Sequence, residues 1–201
     1  FWLELAVAGG LTIASLALRS LRWIFLLRRA ETRIPIRDAY IGYFAGLSLL
    51  MTPFLLGEIA LRAAILRTRG RVPVSTTIVV NLWERLLDLA ALATIAGLGA
   101  AWLGRDAWWT WTLLAGAVAT LVPGVRRAGL AIATLLARPA GRWFDAGTST
   151  DTSRLGETSP WLVAFLTSLA AWLLPGVAFW RLANVWSTPL GLIEAEHLIT
   201  R

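Results

Sequence analysis

The chain has 201 residues, 57% of them hydrophobic and only 15% charged, with a mean hydropathy of +0.66. Soluble domains hold about 45–50% apolar and about 25% charged residues, so this composition excludes a disordered chain and argues against a soluble globular enzyme. The net charge of +7 is carried by 19 basic residues, all of them Arg, and in so apolar a chain anionic lipid headgroups are a better partner than nucleic acid.

A spanning helix takes about 20 mostly apolar residues. Residues 1–27 meet that requirement, with Arg19 and Arg22 near the end, where they are expected to snorkel to the headgroups. The run is already apolar at Phe1, which is not Met and has no signal peptide after it. We therefore expect one transmembrane domain over 1–201, cut from a longer chain. A basic loop follows, with Arg28, Arg29, Arg33 and Arg37. Residues 39–56 are apolar and stop at Pro53 and Gly57; residues 58–66 are too short to span. A second basic loop holds Arg67, Arg69 and Arg71, with Gly70 and Pro73 as breakers. Residues 74–102 are long enough to span, and 108–125 form a further apolar run closed by Arg126 and Arg127. Residues 128–146 read as an amphipathic surface helix with Arg138, Arg142 and Trp143 at headgroup level. Residues 161–180 span again, with a kink expected at Pro175-Gly176. Residues 189–200 begin another helix.

Arg counting sets the orientation. Both basic loops and the 126–159 stretch fall on one side; Arg105 and Arg181 fall on the other. The positive-inside rule makes the Arg-rich side cytoplasmic and the chain a multi-pass protein of the cell (plasma or inner) membrane. Trp102, Trp108, Trp109 and Trp111 flank the short loop at Arg105 as an outer aromatic belt. Basic loops at both ends of 39–66 put both ends on the same side. The fold class is therefore an all-α, polytopic membrane bundle with a re-entrant helical hairpin over 39–66. The competing reading is one spanning helix followed by an interfacial helix. Broken backbone at membrane depth survives only when buried in protein or lining a wet cavity.

Five ionisable residues lie inside apolar segments: Glu58, Arg62, Glu84, Arg85 and Asp88. Glu58 and Arg62 are i,i+4 with the acid first, the favourable order. At 100° per residue with Glu84 at zero, Thr77 falls near about 20°, Asp88 about 40°, Asn81 about 60° and Arg85 about 100°. They form one polar stripe. A charge at a helix centre costs about 2.5–3.5 kcal/mol on insertion scales, and an apolar residue returns about 0.3–0.6. The stripe must therefore pair within itself, with Glu58 and Arg62, or with water, either as a staple for the hairpin or as a substrate-linked polar cavity. Candidate headgroup-binding residues are Glu58, Arg62, Asn81, Glu84, Arg85 and Asp88.

Other signals are weaker. There is no Cys and a single His, which excludes disulfides, thiolate metal sites and multi-His centres. The Glu194-x-x-His197 spacing suits a di-iron site only when doubled, so no metal is expected. No phosphate-binding or dinucleotide glycine pattern is present, and no cofactor is expected. The run from Ala96 through Gly97, Leu98 and Gly99 to Ala100 suits close helix packing.

The motifs Thr52-Pro-Phe-Leu-Leu-Gly57-Glu58, Arg62, Arg69-Gly70-x-Val-Pro73-x-Ser75 and Glu84-Arg85-Leu-Leu-Asp88 resemble the transmembrane domain of lysylphosphatidylglycerol synthases and related standalone flippase-like proteins. Leu21-Arg22-Trp23 also fits. The resemblance is specific over 18–103 and looser over 160–201. It implies an all-helical domain that moves, or presents, a lipid or lipid-linked substrate across the bilayer. The family usually continues with a Pro-Gly-Gly segment and a further Glu, and the full synthases add a soluble aminoacyl-transfer domain; neither is in this sequence, so synthase activity is not assigned. Three functions follow as expectations: a translocase holding an anionic or lipid-linked phosphate; a membrane-embedded headgroup or glycosyl transferase using Glu58 or Asp88 as base, or the membrane module of an aminoacyl-phospholipid synthase; and an anchor. The expected partners are that lipid and an attached or separate soluble enzyme domain. No oligomeric state and no catalytic residue are assigned.

Overall fold

A computed structural model describes residues 2–49, 56–102, 104, 108–145 and 151–186, apart from the side chains of 56 and 184–186. Among them are seven α-helices and no strand. They are α1 (Trp2–Arg29), α2 (Ile36–Leu47), α3 (Leu56–Gly70), α4 (Val74–Trp102), α5 (Trp108–Ala119), α6 (Pro123–Phe144) and α7 (Thr158–Trp186). A 3₁₀ turn, Ser153–Gly156, precedes α7. The all-α class stands. Helices α1 and α7 are long and apolar enough to cross a membrane, and α5 with α6 would form a third, broken span.

Helix α1 packs along α7. At one end the Arg181 guanidinium grips Glu4 through Nε and Nη2, at 2.6 and 2.8 Å. In the middle the Ser15 hydroxyl donates to the Ala171 carbonyl at 2.6 Å. At the other end Arg154 pairs with Glu31 at 3.3 Å.

The 39–66 segment folds back on itself. Helix α2 has 12 residues and α3 has 15, about 18 and 22 Å of rise, each short of the roughly 30 Å hydrocarbon core. They pack on each other, and their outer ends meet where Arg69 pairs with Asp38 at 3.3 Å. Both ends therefore lie on one side, as the loop charges required. The expected break at Pro53 falls outside the described residues, as does the helix expected at 189–200 with Glu194 and His197. Both basic loops open on a left-handed residue, Glu31 (φ 56°) and Arg71 (φ 53°). There Thr32 N–H reaches back to the Leu27 carbonyl, and Val72 N–H to that of Leu66. These are helix C-terminal closures that turn the chain sharply.

Helix α4 is 29 residues long, about 43 Å, and touches α1, α3, α5, α6 and α7. Its N-terminal N–H groups are capped from another helix: the Asp145 carboxylate accepts from Val74 N–H at 2.6 Å and Ser75 N–H at 2.9 Å. An acid at a helix N-terminus satisfies orphan donors and matches the dipole.

Two expectations are corrected here. The 108–125 run is not one straight span: α5 ends at Ala119 and the chain bends 85° into α6. Pro123 causes this, since it sits at the first helical position of α6 with Val122 extended before it. Arg126 and Arg127 consequently belong to a helix that starts earlier than the expected 128. Arg126 is buried against α7, donating to the Thr158 hydroxyl at 2.8 Å with its guanidinium over the Trp161 ring. The remainder of α6 is amphipathic as expected, with Leu130, Ala133 and Ala137 inward and Arg142 and Trp143 exposed. Helix α7 runs without interruption through Pro175, where the kink is expected.

The glycine run on α4 splits into two kinds of position. A Cβ on Gly97 would lie 2.7 Å from Leu114 Cγ of α5, whereas one on Gly99 would meet nothing. Overpacking typically costs about 1–3 kcal/mol. Gly97→Val should lower the detergent melting temperature and Gly99→Ala should leave it unchanged or raised; equal effects would contradict the α4–α5 contact.

Candidate functional site

The α4 stripe meets side chains from three other helices. Glu84 and Asp88 point inward and are buried, as is Asn81. The hairpin brings Glu58 and Arg62, also buried, from the first two turns of α3. Helix α1 brings Arg22 and α7 brings Ser168 and Trp172.

The ion pairs close into a ring. Arg62 Nη2 lies 2.6 Å from Glu58 Oε1, and its Nη1 lies 3.1 Å from Glu84 Oε2. Arg22 Nη2 lies 2.7 Å from Glu84 Oε1, and its Nη1 lies 2.6 Å from Asp88 Oδ1. Arg85 Nη2 lies 2.6 Å from Glu58 Oε2, and its Nη1 lies 4.0 Å from Asp88 Oδ2. Around the ring the order is Glu58, Arg62, Glu84, Arg22, Asp88, Arg85 and back to Glu58. Each Arg bridges two acids and each acid bridges two Arg. The ring has no net formal charge when all six are ionised.

Polar neighbours take up further donors and acceptors. Arg62 Nη1 also donates to the Asn81 carbonyl oxygen at 2.9 Å, while the Asn81 amide donates to the Thr77 carbonyl at 2.8 Å. Arg22 donates to the Ser168 hydroxyl, and the Trp172 indole N–H donates to Asp88 at 3.1 Å. The Arg62 guanidinium is also held between the Trp23 ring at 4.7 Å and the Tyr43 ring at 4.5 Å. Gly46 of α2 lets it in, because a Cβ there would sit 2.6 Å from Arg62 Nε.

All six candidate residues named from the sequence therefore lie together. Four of the five charged ones are buried, and Arg85 alone is partly open, with its side chain 32% exposed. The sequence reading missed one member. Arg22 was placed at headgroup level and is instead fully inside, bound to Glu84 and Asp88. Its neighbourhood carried a signal, since Leu21-Arg22-Trp23 is part of the motif set and Trp23 is itself completely buried. Arg19, assigned the same role, lies with its guanidinium 4.1 Å over the Trp172 ring.

A helical membrane domain whose hairpin and spanning helices are joined by an internal ring of ionised side chains is thereby defined. The chain matches the family described as the lysylphosphatidylglycerol synthase TM region over residues 1–200, and it belongs to that family. No curated protein and no solved structure matches it. The family is one of membrane modules connected with lipid.

Removing one partner of a buried pair typically costs about 3–5 kcal/mol, because a lone charge is left behind. Arg22→Gln should therefore destabilise strongly, since it takes the closer guanidinium from both Glu84 and Asp88 and leaves Asp88 only the 4.0 Å contact with Arg85. Arg85→Gln should cost clearly less, since water reaches that position. Thermal melts in detergent decide this; a harmless Arg22→Gln would contradict the ring.

Proposed function

We propose that this domain is a flippase-like module that moves, or presents, an anionic lipid or lipid-linked phosphate across the cell membrane, with its Arg-rich loops cytoplasmic. One observation carries the reading: Arg85 is the ring member that is both charged and partly open. An intramembrane ionisable residue is a functional candidate by default. Arg85 holds Glu58 tightly but Asp88 only at 4.0 Å, so a phosphate can compete for the weaker side with little lost.

Arg62 takes a different part in this reading. Its terminal nitrogens are engaged with Glu58, Glu84 and Asn81, so a headgroup reaches it only if the ring opens. Exchange of phosphate for Glu58 or Glu84 would then couple headgroup arrival to movement of the hairpin. Asn81 and Glu84 steady Arg62 during that exchange. Glu58, Glu84 and Asp88 balance the cavity when the lipid leaves.

The transferase alternative has less support. Glu58 offers one oxygen to Arg62 and the other to Arg85, and both oxygens of Asp88 face guanidinium groups. Each acid is thus engaged by two guanidinium groups, and acting as a base would mean giving up part of that pairing. The whole function includes a soluble enzyme domain, attached or separate, that makes or uses the lipid.

Three outcomes test the proposal. Arg62→Lys keeps the charge but loses the planar fork that binds phosphate and bridges two acids, so translocation of phosphatidylglycerol in proteoliposomes should fall nearly as far as in Arg62→Ala. Full transport by folded Glu58→Gln/Arg62→Gln protein would leave only a structural role for the pair. For orientation, a single Cys at position 67 should react with a membrane-impermeant maleimide only after the cytoplasmic face is opened; labelling from outside intact cells would reverse the topology.

A further inference from the structure

The route by which lipid reaches the ring is the part the proposal leaves open, and the inference below rests on that proposal. A cleft of about 530 Å³ lies between α3 and α6, with α4 as its floor. That is within the roughly 300–1,000 Å³ range of ligand sites. Its α3 wall is small-residue surface, Ala60, Ala63 and Ala64, and its floor is Val74 and Ile78. Phe144 closes the α6 side, and Arg67 with Thr68 stands at the basic end, the Arg67 guanidinium 5.8 Å from the Phe144 ring.

The floor of this cleft points at Arg85. On the α4 wheel with Glu84 at zero, α3 covers the side near Asn81, at about 60°, through Arg62. Helix α6 covers the side of Leu86 and Trp83, at about 200–260°, through Gly129. The strip left between the two helices runs from about 80° to 120° and contains Val74, Ile78 and Arg85. Arg85 stands two turns beyond Ile78, roughly 10 Å further along. At the same depth on the α3 wall, Ile59 lines the cleft immediately after Glu58, which Arg85 grips.

We infer that the α3–α6 cleft is the lateral access route of one anionic phospholipid: its phosphodiester is met by Arg67 at the basic end and passed along the α4 strip to Arg85, while an acyl chain lies on Ala60, Ala64 and Ile78. Three observations favour this occupant over a protein helix. Among the described lining residues Arg67 is the only charged one, so the cleft offers a cation and Thr68 at one end and apolar surface elsewhere. Ala60 and Ala64 are exposed, apolar and small. The strip ends at a second, partly open cation. An anion with an apolar tail fits that sequence of surfaces.

The test uses a photoactivatable phosphatidylglycerol in nanodiscs of phosphatidylglycerol and phosphatidylcholine, with adducts mapped by mass spectrometry. Adducts should concentrate in residues 59–78 and exceed those on the exposed α7 face at Leu162 and Leu166. Ala64→Trp, which fills the cleft from an exposed position away from the ring, should cut them several-fold without changing the melting temperature, and Arg67→Glu should do the same. A photoactivatable phosphatidylcholine should label the cleft several-fold less. Adducts spread evenly over the exposed surface, or undiminished by Ala64→Trp, would overturn the route. Transport separates this failure from that of the ring: unchanged transport in Ala64→Trp with loss in Arg62→Lys removes the route and leaves the ring, whereas unchanged transport in both removes both.

Discussion

A charge inside a bilayer must find an opposite charge, and that constraint organises this domain. Six ionised groups carry a desolvation cost of several kcal/mol each, whatever their arrangement. Three separate pairs would return three attractions. A closed alternating ring makes six attractive contacts with the same six desolvated ions, each about 4 kcal/mol at 4 Å in an effective dielectric of 20, and repulsion between the like charges at alternate corners offsets only part of the gain. Closure therefore improves the balance without adding a single charge. It also explains why the weakest contact, Arg85 to Asp88 at 4.0 Å, sits where water can help.

The ring also joins parts of the chain that hydrophobic packing alone would leave interchangeable. In lipid, apolar helix faces gain little from choosing one another. Here α1 enters through Arg22, the hairpin through Glu58 and Arg62, and α4 through Glu84, Arg85 and Asp88. Helix α7 is tied on by Ser168 and Trp172. The short hairpin cannot span by itself, so its depth is set by these bonds and by the Arg62 guanidinium lodged between Trp23 and Tyr43. In the proposed function, a charged headgroup replaces one of these ionic contacts.

Much of this was legible in the sequence because the bilayer leaves few choices. Runs of apolar residues gave α1 and α7, Arg placement put both hairpin ends together, and helical periodicity placed Glu84, Asp88 and Asn81 on one face. What was not legible depended on tertiary contact. Arg22 and Arg126 look like headgroup residues by position, and only the helices packed over them show that both are buried. The bend before Pro123 is a local backbone effect overridden in the sequence reading by a continuous apolar run. The cleft at Ala60 and Ala64 arises from what α3 lacks, and small residues give no signal until a neighbouring helix stands beside them.

The most direct test of the ring is a double-mutant cycle between two members that do not touch. Arg22 and Glu58 lie on opposite sides of it, linked only through Glu84 and Arg62 or through Asp88 and Arg85. Stability would be measured for Arg22→Gln, Glu58→Gln and the double variant by reversible unfolding in detergent. A connected ring predicts a coupling energy within the roughly 0.5–3 kcal/mol seen for residues of one network. Additivity within about 0.3–0.5 kcal/mol, as for independent sites, would mean that the six charges act as separate pairs and would contradict the account.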